Sequence, residues 1–254
     1  MNIPELVAHR GYMLAYPENT LSAIRAALEL GCPAVEFDVH LSRDGVPMVF
    51  HDRELNRTTG QEGRIFDLTA DELVRIDAAQ TDRFGEKYRG EKIPRLDAMV
   101  ALIAHWPQAK MFVEIKRKSL QQFGHARVWE QVHAVIQPHL DQAVVISYDV
   151  AILERARASG VPRIGWVIEH FDAATRQQAE ALRPEYLFGD VDEIPADLER
   201  FWPGPWQWVI FDVIDPALAL NLAQRGADII ETKAVAEMYR DPTLARKRAA
   251  YAKL

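Results

Sequence analysis

The chain has 254 residues, 48% of them hydrophobic and 26% charged, enough for one large core of the size that α/β barrels reach as a single unit. Acidic residues number 37 against 30 basic ones, a formal charge of −7, which disfavours nucleic acid or an anionic membrane surface as the main partner. The one cysteine, Cys32, leaves no intrachain disulfide and fits a reducing compartment.

The opening residues, MNIPELVAHRG, lack the basic and apolar regions of a secretion signal, so a cytoplasmic protein is expected. The longest stretch free of Asp, Glu, Lys and Arg is Ala98–Ala109, too short for the ~20 apolar residues of a membrane span. Eight short apolar runs read as strands: Leu6–His9, Ala34–Val39, Met111–Ile115, Ala143–Ser147, Ile164–Ile168, Tyr186–Phe188, Trp206–Phe211 and Asp228–Ile230. Several lack the alternation of a half-exposed strand, as expected of parallel strands covered on both faces.

Helix signals separate the runs. Leu21, Ile24 and Leu28 form an apolar stripe after Pro17–Thr20, and Gly31 stops it. Asp149 can cap a segment ending near Gly160. Asp215 and Pro216 stand at the cap and first turn of a segment ending before Gly226. Arg246, Lys247, Arg248 and Lys253 read as cations at the negative end of a final helix. The alternation predicts a (β/α)8 TIM barrel, with a doubly wound open sheet as the alternative. From Val46 to Pro94 the rhythm breaks; Thr69–Glu72 there has the capping-box pattern. This small insertion after the second strand would overhang the active-site face, as a lid, a specificity element or a surface decoration.

Charged residues fall at the ends of the buried runs. Glu36 and Asp38 share a face of the second strand, Glu114 and Lys116 repeat the spacing on the third, His9 and Arg10 end the first, and His51 and Asp52 follow PMVF. Charges on buried strands are costly unless paired or metal-bound. Three carboxylates (Glu36, Asp38, Glu114) suit one hard divalent cation, Mg2+ or Ca2+. Two histidines (His9, His51) can act as general acid and base, and Arg10 and Lys116 can clamp an anion. Together they fit phosphodiester hydrolysis.

With HRG at His9–Gly11, PENT at Pro17–Thr20, VEFDVHLSRDG at Val35–Gly45, HD at His51–Asp52, RTTG at Arg57–Gly60 and VEIK at Val113–Lys116, the chain resembles the glycerophosphodiester phosphodiesterases. Ile93–Leu96, Ser147–Asp149 and Trp208 extend the resemblance over most of its length. The resemblance implies hydrolysis of a small glycerophosphodiester to sn-glycerol 3-phosphate and an alcohol. It places catalysis on His9 and His51, the metal on Glu36, Asp38 and Glu114, and phosphate contacts on Arg10 and Lys116. Trp208 is the one tryptophan that could wall the pocket.

The family's W-T-V-N is replaced by Trp208–Phe211, and its I-x-T-D or I-x-T-N by Ile230–Lys233, which bears on the alcohol side of the pocket. His40 shares the face of Glu36 and Asp38 without a required role, and Glu18 and Asn19 read first as a helix start. Related lysophospholipase D or sphingomyelinase D enzymes, and a non-catalytic phosphodiester-binding protein, stand as alternatives. The oligomeric state is left open.

Overall fold

Every predicted run becomes a strand in the computed structural model, which describes residues 2–249. The strands are β1 (Glu5–Ala8), β2 (Ala34–Leu41), β3 (Pro47–Val49), β4 (Lys110–Ile115), β5 (Ala143–Ser147), β6 (Ile164–Val167), β7 (Tyr186–Asp190), β8 (Gln207–Phe211) and β9 (Ile229–Thr232). All except β3 are parallel, and β9 pairs with β1 to close an eight-stranded barrel. The open sheet is thereby excluded. β3 is antiparallel to β2, with Val39 opposite Val49 and Leu41 opposite Pro47. That hairpin carries β2 two residues past its predicted end at Val39.

β9 begins and ends later than the predicted Asp228–Ile230, because Asp228 turns its carboxylate to the backbone N–H of Trp208, at 2.9 Å. Side chains alternate between two cores. Val7, Ala34, Phe112, Val144, Val167, Phe188, Val209 and Ile229 fill the barrel interior, with Phe112 edge-on to Tyr186 and Phe188. Their neighbours in sequence pack outward against the helices. Gly165 faces inward, where a Cβ would lie 2.8 Å from Ile146 Cγ2 and from Phe188 Cε2. Only glycine fits there.

The helices start where the caps were read. Thr20 Oγ1 accepts from Ala23 N ahead of helix Leu21–Glu29, and Asp149 and Asp215 cap helices Val150–Ala158 and Pro216–Gln224. Such caps contribute about 1 kcal/mol each. The basic C-terminal residues meet the expectation in part, since Arg246 and Lys247 stand in the last turn of the final described helical piece while Arg248 does not. The last described helical piece is a single 3-10 turn, Leu244–Lys247, and Arg248 donates to the Leu30 carbonyl while lying over Tyr239. Lys253 lies outside the described residues. No helix among them is long and apolar enough to cross a membrane.

Residues 46–94 wrap a small core of their own, built on Met48, Leu55, Ile65, Phe66, Leu73 and Ile93. The capping box forms: Thr69 Oγ1 accepts from Glu72 N, and Glu72 accepts from Thr69 N at 2.7 Å. The segment is tied to the barrel where it leaves β2. Arg43 N donates to Leu68 O, and Ala70 N to the Asp44 carboxylate. It then reaches the barrel mouth, where Arg57 and Gln80 donate to Glu18 and Arg83 to the Leu14 carbonyl.

Candidate active site at the barrel mouth

The turn after β1 reverses sharply: Arg10 has φ 51° and Gly11 φ 80°. A Cβ at Gly11 would sit 2.5 Å from the Ala23 carbonyl carbon, so this turn needs glycine. The reversal aims the Arg10 N–H at Glu36 Oε2, 3.0 Å away, and its guanidinium at Glu18 (Nη1 to Oε1, 2.9 Å) and Asp38 (Nε to Oδ2, 3.2 Å). Asn19 holds Asp38 from both sides, donating to Oδ2 at 2.8 Å and accepting from its N–H at 3.2 Å.

The β2–β4 register sets Asp38 beside Glu114. Lys116, two residues further along, places Nζ 2.8 Å from Glu114 Oε1 and 3.1 Å from Asp38 Oδ1. From the end of β3, His51 Nδ1 donates to Asp52 Oδ1 at 2.6 Å, and Arg57 links Asp52 (2.6 Å) to both oxygens of Glu18 (2.7 Å each). His40 Nε2 donates to the His51 carbonyl at 3.0 Å.

His9, Arg10, His51, Glu114 and Lys116 therefore line one cleft of about 400 Å³, together with Tyr148, Phe211 and Glu231. Glu36 and Asp38 adjoin it, both buried. Trp208 does not reach it. Along β8, Val209 belongs to the interior core and Phe211 to the cleft, so the period of two turns Trp208 outward. There it stacks on Phe171 and donates Nε1 to the Trp202 carbonyl at 2.9 Å. The wall that the sequence reading sought in Trp208 is Phe211.

Charge is unevenly shared. Burial raises the Asp38 pKa, but Lys116 and Arg10 outweigh it and hold this group well below the carboxylate range. Arg10 and Lys116 are in turn kept charged against burial by these carboxylates. Glu36 is the reverse: burial first, then Asp38, Glu231 and Glu114, push its pKa well up. Burial lowers His9 below its usual value and brings His40 to about 4.

Glu36, Asp38 and Glu114 can each offer an oxygen within 4.8 Å of the others. Two features fit a hard cation there. Glu36 Oε1 is buried without a hydrogen-bond partner, and the Lys116 ammonium already stands between Asp38 and Glu114 as a positive group.

Two acids were missed. Glu231 is buried on β9, its carboxyl pushed well up by burial and by Asp212, Glu114 and Asp38. Its Oε1 lies 3.7 Å from His9 Nε2, while Asp212 Oδ2 lies 3.7 Å from His9 Nδ1. Placing the final run at Asp228–Ile230 stopped one residue short of Glu231. A strand extended to Thr232 would have exposed the same sign that marked Glu36 and Asp38, a charge on a buried strand. Glu18, read first as part of a helix start, is a buried anchor for Arg10 and Arg57.

Residues 9–229 match the model of the glycerophosphoryl diester phosphodiesterase family. A glycerophosphodiester phosphodiesterase of Caldanaerobacter subterraneus subsp. tengcongensis is 30% identical over 87% of this chain and 98% of its own. A phosphodiesterase of Oleispira antarctica, solved in complex with the product sn-glycerol-3-phosphate, superposes with TM-score 0.81 at 26% identity, covering 94% of this chain and 96% of that one. The fold is shared with the Thermotoga maritima glycerophosphodiester phosphodiesterase, at TM-score 0.74 and 24% identity over 95% of this chain and 99% of that one. Barrel, motifs and relatives agree over nearly the whole length, and the chain belongs to the glycerophosphoryl diester phosphodiesterase family.

Proposed function

We propose that this glycerophosphodiester phosphodiesterase splits small glycerophosphodiesters into sn-glycerol 3-phosphate and an alcohol, using His9 and His51 as acid–base groups and a divalent cation on Glu36, Asp38 and Glu114. The observation that carries the reading is the convergence of both histidines, Arg10, Lys116 and Glu114 on one cleft, with Glu36 and Asp38 adjoining it. The product bound to the Oleispira relative supports the same product here. Residues 67–92, rich in Asp, Glu and Arg, favour a soluble substrate over the acyl chains of a lysophospholipase D or sphingomyelinase D. The single cysteine favours the cytoplasm.

When bound, Mg2+ or Ca2+ neutralises a phosphoryl oxygen and lowers its repulsion of a nucleophile. Arg10 and Lys116 close on the other phosphoryl oxygens and fix the ester for in-line attack. His9, held neutral by burial, takes the proton of the glycerol 2-hydroxyl as its oxygen bonds to phosphorus. His51, its Nδ1 tied to Asp52, gives a proton from Nε2 to the departing alcohol. Water then opens the cyclic phosphate with the roles reversed.

The test is release of choline and glycerol 3-phosphate from glycerophosphocholine, with Mg2+ or Ca2+ and again after chelation. Cation-dependent release is expected; no release with either cation present would refute the activity. A second substrate with propane-1,3-diol in place of glycerol keeps the diester but lacks the 2-hydroxyl. It should inhibit competitively and turn over very slowly. Cleavage near the natural rate would replace the 2-hydroxyl by water as the nucleophile.

A further inference from the structure

Beside the three-carboxylate set stands a second group of donors that shares Glu36 with it. His9, Glu36 and Glu231 can also each offer a ligand atom within 4.8 Å of the others. The Glu231 carboxylate is buried and accepts no hydrogen bond from any described side chain or backbone N–H; the nearest nitrogen recorded beside it, His9 Nε2, is 3.7 Å away. That gap is too long for a hydrogen bond. It suits two ligands of one ion, since bonds of 2.0–2.1 Å span 3.7 Å at an angle of about 130°.

The charge beside the imidazole favours the same arrangement. Asp212 Oδ2 lies on the Nδ1 side of His9, and Asp212 is itself held by Lys233, whose Nζ is 2.9 Å from Oδ2 and whose backbone N is 3.1 Å from Oδ1. At 3.7 Å that carboxylate is no hydrogen-bond partner either, and Nδ1 has none, but its negative charge favours the proton on Nδ1 and leaves the Nε2 lone pair toward Glu231. Glu36 Oε1, buried and without a hydrogen-bond partner, supplies the third donor.

We propose that His9, Glu36 and Glu231 form a second cation site, selective for a borderline-soft divalent ion such as Zn2+. One imidazole with two carboxylates matches zinc, whereas the all-oxygen set of Glu36, Asp38 and Glu114 matches Mg2+ or Ca2+. The two sites share Glu36. This assignment stands on the geometry of the three donors. Only its consequence rests on the proposed mechanism: an ion on Nε2 occupies the lone pair that His9 needs as a base, so zinc opposes turnover.

The test is equilibrium dialysis of the full chain against zinc with Mg2+ in excess, read by metal analysis rather than by activity, with circular dichroism to confirm folding. About one zinc per chain is expected for the native protein. Glu231→Gln and, as a second variant, His9→Asn should each weaken zinc retention by at least about 10-fold, the lower bound seen even for loss of a residue that merely supports a ligand. Glu114→Gln should retain zinc and lose Mg2+. Absence of zinc from the native protein overturns the proposal. So does zinc retention that fails to separate Glu231→Gln or His9→Asn from Glu114→Gln. Because turnover is not the readout, failure here leaves the proposed activity standing.

Discussion

Glu18 has both oxygens engaged, by Arg10, Arg57 and Gln80. Burial alone would raise its pKa; Arg57 and Arg10 outweigh it and bring the value from 4.5 to about 2. A carboxyl depressed on folding stabilises the protein above its unfolded pKa, and that contribution disappears as pH falls from about 4.5 to about 2. Glu18→Gln should therefore cost on the order of 3 kcal/mol at pH 7, with the deficit narrowing at pH 3 in urea melts. An equal deficit at both pH values would show that charge is not the cause. His9→Ala and His51→Ala should each lower kcat by at least ~10², the scale of acid–base catalysis; losses confined to KM would make them binding residues. Glu36, Asp38 and Glu114 were legible because a charge on a buried strand stands out against its neighbours. Trp208 was misread because a bulky aromatic looks the same whichever face of the strand it occupies.

At the scale of elements, the caps and apolar runs carried their own signals. Thr20, Asp149 and Asp215 mark helix starts through local backbone hydrogen bonds, which sequence spacing specifies. Apart from the Thr69–Glu72 capping box, the 46–94 segment carried no regular signal, since its core is assembled from short turns. Its Arg57 bridges Asp52, the partner of His51, to Glu18, the partner of Arg10. Arg57→Ala should reduce kcat by ~10-fold or more through lost orientation. Arg64→Ala, which breaks only an exposed pair with Asp67, should leave it unchanged. Equal kcat for both variants would reduce the segment to decoration. In the barrel wall, Gly165→Ala drives a methyl against Ile146 and Phe188. The expected cost is about 1–3 kcal/mol of overpacking, measured as a shift in the urea midpoint.

Across the whole molecule, the cation site proposed on the carboxylates of β2 and β4 would couple fold stability to cation binding. A cation that binds only the folded barrel raises stability by about 2.7 kcal/mol at 100 times its Kd. Mg2+ or Ca2+ should therefore raise Tm, chelation should reverse the rise, and a triple Glu36→Gln, Asp38→Asn, Glu114→Gln variant should show none. A persistent rise in that variant would put the cation elsewhere. The eight barrel strands, their order along the chain and the charged pairs carried on β2 and β4 were legible in the residues alone, because a period of two is a local property of the strand. What meets across gaps in the chain emerges only from the folded barrel. Closure places β9 beside β1, which brings Glu231 and Asp212 to His9, and the 46–94 segment brings Arg57 and Gln80 to Glu18. Those meetings depend on barrel closure and loop path, which summed packing over the whole chain selects and which no local pattern encodes.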